Sequence, residues 1–177
     1  MLSALKNLLS GQSAPDLRQP AGPESRQLRV AVAGLLHEMI RADLSERPEE
    51  SGSASAALTA MFDLPEGDAR ALLDEAGAHR FTSYFGPVSI IKRLLPMDRR
   101  IVLIEHLWRV AFADGDLDTY EDHFVRKIAH LLYVTNTEAM LARQRARRAA
   151  PVKAQGGASI PARPDPGSGR DPARITD

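Results

Sequence analysis

Trp108-Arg109-Val110-Ala111-Phe112-Ala113-Asp114-Gly115-Asp116-Leu117-Asp118-Thr119-Tyr120-Glu121 is the stretch that decides the fold. An apolar helical pattern runs up to Asp114 and stops. Gly115 supplies the left-handed residue that helix ends favour. Asp118 stands three residues before Glu121, the spacing of a capping box that opens a new helix. The stretch therefore reads as a helix, a tight acidic corner and a second helix. Asp116 and Asp118 suit a turn and a cap, and Glu121 closes the box. Asp114 is less easily explained. At a helix C-terminus the macrodipole disfavours a negative charge by ~0.3–1 kcal/mol. A cation, a basic side chain or the amides that open the next helix would offset that.

Around this corner the chain has 177 residues, enough for one domain with a core and tails. Its 23 basic and 23 acidic residues cancel, but unevenly. Residues 1–134 carry a net charge of −4 and residues 135–177 a net charge of +4, an acidic body with a basic tail. The absence of cysteine excludes disulfides, thiolate metal sites and a cysteine nucleophile. No apolar run approaches the ~18–20 residues that span a bilayer. Met1–Leu9 is too short and too interrupted for a signal peptide. The expected location is cytoplasmic.

Taken in order, residues 1–10 form a short amphipathic helix with Leu2, Leu5, Leu8 and Leu9 on one face. Residues 11–26 are a proline- and glycine-bearing linker. From about Glu24, the residues Leu28, Val32, Leu35, Leu36 and Met39 recur at helical spacing, in a helix expected to end near Asp43. Pro48 is placed at the first position of the next helix. That helix is rich in small residues and ends Leu58, Met61, Phe62. Glu66 to Gly77 is a further helix with Leu72 and Leu73 inward. Gly86-Pro87 should break or kink any helix around Phe81–Ile91. Asp98 then starts the helix that leads to Asp114, with Ile101, Ile104, Leu107, Trp108 and Ala111 inward and Phe112 beside them. After the corner, Phe124, Ile128, Leu131 and Leu132 line another helix. Thr135 and Glu138 make a second capping box. The last helix carries Met140 and Leu141, then Arg143, Arg145, Arg147 and Arg148. Residues 149–177 are a basic, proline- and glycine-rich tail that is expected to be disordered. No segment alternates as a strand should. The predicted fold is all-α, a single domain of about seven helices over residues 27–148.

The corner has an echo. Asp43 precedes Glu50 by seven residues, as Asp114 precedes Glu121. Each aspartate follows an alanine at the end of an amphipathic helix. The helices that follow end in Met61-Phe62-Asp63-Leu64 and Leu131-Leu132-Tyr133-Val134, with one residue of slippage. Two copies of helix, Asp, six residues, Glu and helix imply a bundle with an internal pseudo-two-fold.

Leu107 to Gly115, with Glu121 and Arg126-Lys127-Ile128-Ala129-His130-Leu131-Leu132-Tyr133-Val134, resembles the signature of the TerB-like proteins, bacterial all-helical domains named after a tellurite-resistance protein. The N-terminal domain of the membrane-bound DnaJ-type co-chaperone DjlA is similar. The resemblance covers roughly Gln27 to Arg148, more specifically in the second half than in the first. It implies a helical bundle with two-fold internal symmetry and acidic residues gathered on one surface, with which divalent cations have been associated. Carried onto this chain, the matching positions are Asp114 and Glu121, with Asp43 and Glu50 in the first repeat. The chain departs at Leu44, where the first repeat usually has glycine. It departs again at Gly86-Pro87, which falls inside what is usually a helix.

The residues themselves support binding more than catalysis. Asp114, Asp116 and Asp118 imitate the start of an EF-hand loop, but Thr119 and Val125 stand where that loop needs glycine and glutamate. Carboxylates alone suit a hard cation, Ca²⁺ or Mg²⁺. The five histidines form no zinc motif, although His123 and His130 share a helix. No phosphate loop, dinucleotide motif or nucleophile elbow is present, so no enzyme is expected. The arginines of the last helix complement its dipole, and without interleaved aromatics nucleic acid is not the expected partner. The reading is a non-enzymatic interaction module with a protein partner. The alternative is a membrane-peripheral adaptor, in which the N-terminal helix and the arginine tail touch anionic lipid weakly.

Overall fold

The computed structural model describes residues 23–41, 47–78, 83–115 and 117–150. Among them the chain forms seven helices and no strand. These are α1 (Pro23–Ile40), α2 (Pro48–Phe62), α3 (Glu66–Ala78), α4 (Phe85–Leu94), α5 (Met97–Ala111), α6 (Thr119–Leu131) and α7 (Asn136–Ala149). Residues 1–22, Asp43, Leu44, Phe81, Asp116 and residues 151–177 lie outside the described residues; Pro23–Arg26, expected to end the linker, open α1 instead, and Ala149, expected to start the tail, ends α7.

Helical periodicity places the core. Leu28, Val32, Leu35, Leu36 and Met39 of α1 are all buried, as are Leu103, Ile104, Leu107, Trp108 and Ala111 of α5. α1 packs against α2, α3, α4 and α5, while α5 packs against α1, α2, α6 and α7. The bundle is thus two three-helix units, α1–α3 and α5–α7, with α4 between them. In each unit the first helix packs on the third. Each unit also has the same spacing at its corner, from Ile40 to Pro48 and from Ala111 to Thr119.

The second helices of the units also end alike. Asp63 after α2 has φ 54° and Tyr133 after α6 has φ 61°, both left-handed. The pair carries the one-residue slip seen in the sequence. After α6 the ending is a Schellman motif, in which Tyr133 N–H donates to His130 O and Val134 N–H donates to Ala129 O. Two adjacent arginines of α5 serve these ends. Arg99 Nη2 donates to Met61 O at 2.7 Å, and Arg100 Nη1 donates to Leu132 O at 3.3 Å. Arg100 also donates to Lys92 O and Leu95 O, satisfying carbonyls at the end of α4 that have no helical partner.

Two further expectations need correction. Gly86-Pro87 neither breaks nor kinks a helix, because both residues lie in the first turn of α4, after Tyr84 as N-cap. Amides of a first turn have no intrahelical acceptor, so a proline there removes no hydrogen bond. The long helix of the second unit ends at Ala111, short of Asp114. Residues 112–114 form turns, and Gly115 at φ 88° completes the reversal.

α7 packs on α5 through Ala142 and Ala146, both fully buried. The larger Met140 and Leu141 are 71 % and 49 % exposed.

Candidate functional site

The second corner is built as its sequence dictates. Asp118 is the N-cap of α6, and its Oδ1 accepts from Tyr120 N–H at 2.5 Å. Glu121 Oε2 accepts from Asp118 N–H at 2.9 Å, which completes the capping box. Thr135 and Glu138 make the same box at the start of α7. At the first corner the N-cap is Arg47, which makes no side-chain cap bond, and Pro48 fixes the entry into α2.

Glu50 and Glu121 occupy the same place, the third residue of α2 and of α6. They are 3 % and 5 % exposed, whereas Glu138, third in α7, is only half-buried. An ionised carboxylate is not buried without partners. For Glu121 the backbone N–H of Asp118 is one such partner.

The corners meet. The Arg47 guanidinium pairs with the Asp114 carboxylate, which is 14 % exposed. The basic side chain that the sequence required for Asp114 therefore comes from the opposite repeat. Asp114, Glu50 and Glu121 all lie among the described residues, and the Arg47–Asp114 pair brings the two corners together. Asp43 lies outside them. Among the described residues no group of three or more histidine, cysteine, aspartate or glutamate side chains is placed to hold a metal ion. The described carboxylates alone do not make a cation cage.

A family model described as "Tellurite resistance protein TerB" matches residues 29–144, from the first turns of α1 into α7. The chain belongs to the TerB family. No curated protein and no solved structure matches it. No described helix is long and apolar enough to cross a membrane.

Sequence reasoning left several charged contacts of this TerB-family chain unseen. Glu105 on α5 accepts from Arg145 Nε of α7 at 2.5 Å and from Arg109 Nη2 at 2.6 Å. Burial pushes its carboxyl up, but the two guanidinia outweigh burial and hold it below the usual carboxylate range. Next to it, burial drives the His106 imidazole down to about 4; Arg109 and Arg99 add to the shift and Glu105 opposes it. The arginines of α7 are thus not only dipole partners. Arg145 ties α7 to α5, and Arg143 reaches Asp122 of α6 at 3.2 Å. The only available signal was the i, i+4 spacing of Glu105 and Arg109. The contact with Arg145 spans 40 positions and leaves no local trace.

Proposed function

We propose that this TerB-family chain works by binding rather than catalysis, with the joined corners as its contact surface. The observation that carries this is the pair between Arg47 and Asp114, set beside two buried glutamates at equivalent helix starts. Asp114 already receives a guanidinium, so a basic group of a protein partner is the ligand this surface accepts best, in competition with Arg47. A divalent cation, Ca²⁺ or Mg²⁺, is the other ligand for the same carboxylates. It would need Asp43 to complete a set with Asp114, Glu121 and Glu50. A role in tellurite or stress response rests on the family alone.

The test is thermal melting in millimolar Ca²⁺ or Mg²⁺ against NaCl of equal ionic strength, since screening by itself weakens carboxylate repulsion. A cation that binds the native state raises the melting temperature by mass action. Arg47→Ala should enlarge that increment, and Asp114→Asn with Glu121→Gln should abolish it. If parent and Arg47→Ala both melt as in NaCl, the cation reading fails and a basic protein partner remains.

A further inference from the structure

A second surface runs along α7 and borders the second corner at Phe112 and Leu117. One face of that helix carries Thr137, Met140, Leu141, Gln144 and Arg148, at spacings of three and four. Together with Phe112 and Leu117 from the α5–α6 connection it lines an open hollow of about 730 Å³. The face is roughly 16 Å long, or about three helical turns, at 1.5 Å per residue. Its apolar part is Phe112, Leu117, Met140 and Leu141, of which Met140 and Leu141 stand in solvent. Apolar side chains exposed together at a hollow with a polar rim form the kind of patch through which proteins bind partners.

Charge says what fits there. Arg145 is engaged with Glu105 and Arg143 with Asp122. Arg147 and Arg148 line the far end of the hollow and have no carboxylate partner among the described residues. The Arg147 guanidinium lies over the Phe112 ring, 5.1 Å from its centroid, which holds it at the rim. The surface is therefore an apolar strip that ends in two unmatched cations. The segment at residues 1–10 offers leucines but only Lys6 as a charged side chain, so its sign is wrong for that end.

We propose that this face of α7 docks an amphipathic helix of a partner protein, with its apolar stripe on Met140 and Leu141 and its carboxylates on Arg147 and Arg148. Helix-in-groove recognition uses anchors at i, i+3, i+4 and i+7, the same spacing that α7 presents. The site shares Phe112 and Leu117 with the second corner but uses none of the corner carboxylates.

Trp108, the single tryptophan, provides the reporter. Its ring stacks on Phe112 at 5.8 Å, and the Arg143 guanidinium lies 5.0 Å over it. The full chain is titrated with an acidic amphipathic peptide of about four turns, leucines on one face and glutamates grouped at one end. The same peptide with lysines for the glutamates is the control. Saturable change in tryptophan emission with the acidic peptide, and binding roughly ten-fold or more weaker with the lysine peptide, is the expected result. Arg147→Glu with Arg148→Glu should reverse that preference, and Met140→Ser with Leu141→Ser should abolish binding of both. All four side chains are at the surface, so the variants should fold, as circular dichroism will verify. Failure of the acidic peptide to bind overturns the proposal. So does equal binding of both peptides, or binding to phosphatidylglycerol vesicles that the Met140 and Leu141 changes abolish while the peptide has no effect.

Discussion

The two corners solve one problem in different ways. The second uses a reciprocal capping box, with Asp118 and Glu121 serving each other's backbone. The first has Arg47 at the cap position, with no side-chain cap bond, and relies on Pro48 to set the helix entry. Yet the third residue of both helices is a buried glutamate. The start of α7 shows that a box does not require burial, since Glu138 has the same bonds and stays half-buried. What the repeats share is therefore not the cap. It is the placing of a carboxylate beneath a corner that faces the other corner, joined through Arg47 and Asp114.

The largest expected effect tests whether the second unit depends on its aromatic centre. Trp108 is 2 % exposed and stacked on Phe112, so Trp108→Ala should destabilise by ~3–5 kcal/mol. Denaturant melts that coincide with the parent would show that the second unit does not depend on Trp108.

Next comes acid sensitivity, which the second unit carries at His106. Its imidazole titrates at about 4 in the fold against 6.5 as an ordinary histidine. The unfolded chain therefore binds the proton first as pH falls. Stability should be full above pH 6.5 and should decline towards pH 4, by about 3 kcal/mol from this group. Glu105 has the same sign but a lower window: its contribution is full above 4.5 and is lost as pH falls through its depressed value. His106→Gln should flatten the decline above pH 4.5 and leave the part below. An unchanged slope in urea melts across this range would remove His106 from the account.

A smaller effect compares the corners directly. Asp118→Ala removes a side-chain cap and should destabilise by about 1 kcal/mol. Arg47→Ala removes a half-exposed ion pair and no cap bond, and should destabilise by roughly 0.5 kcal/mol. Equilibrium unfolding that ranks them the other way would mean that the joined pair, not the box, holds the corner.

The smallest concerns the paired left-handed residues. Aspartate tolerates that conformation better than tyrosine does. Tyr133→Gly should gain roughly 0.5 kcal/mol, as relief of strain exceeds the loss of the Lys92 contact over the ring. Asp63→Gly should gain less. Equal shifts in melting temperature would argue that the strain at the two ends is the same.

How far these features were legible follows from the range of the interactions behind them. Capping boxes at Asp118 and Thr135 are bonds between residues three apart, and both were visible in the sequence. So was the one-residue slip between the repeats, which falls at Asp63 and Tyr133, while Asp43 of the Asp-to-Glu spacing lies outside the described residues. Pro87 misled because a proline in a first turn and one in mid-helix look alike until the helix start is known. α7 gave no warning that it buries Ala142 and Ala146 and leaves Met140 and Leu141 outside. Close helix approach selected small residues there over large ones, against the usual hydrophobic pattern. Of the site, Asp114, Glu121 and Glu50 were legible as acidic positions, but Arg47 as the partner of Asp114 was not, since only the fold brings residue 47 to residue 114.

Arg99 and Arg100 make the two halves unequal in autonomy. The carbonyl end of α6 is served by Arg100, a residue of its own unit. The equivalent end of α2 is served by Arg99, which belongs to the other unit. Cut from the chain, the second half would retain the arginine that closes its middle helix, whereas the first would lose the one it borrows. The dependence runs in one direction, so the duplicated architecture is not a pair of interchangeable modules but a lender and a borrower fixed in order along the chain.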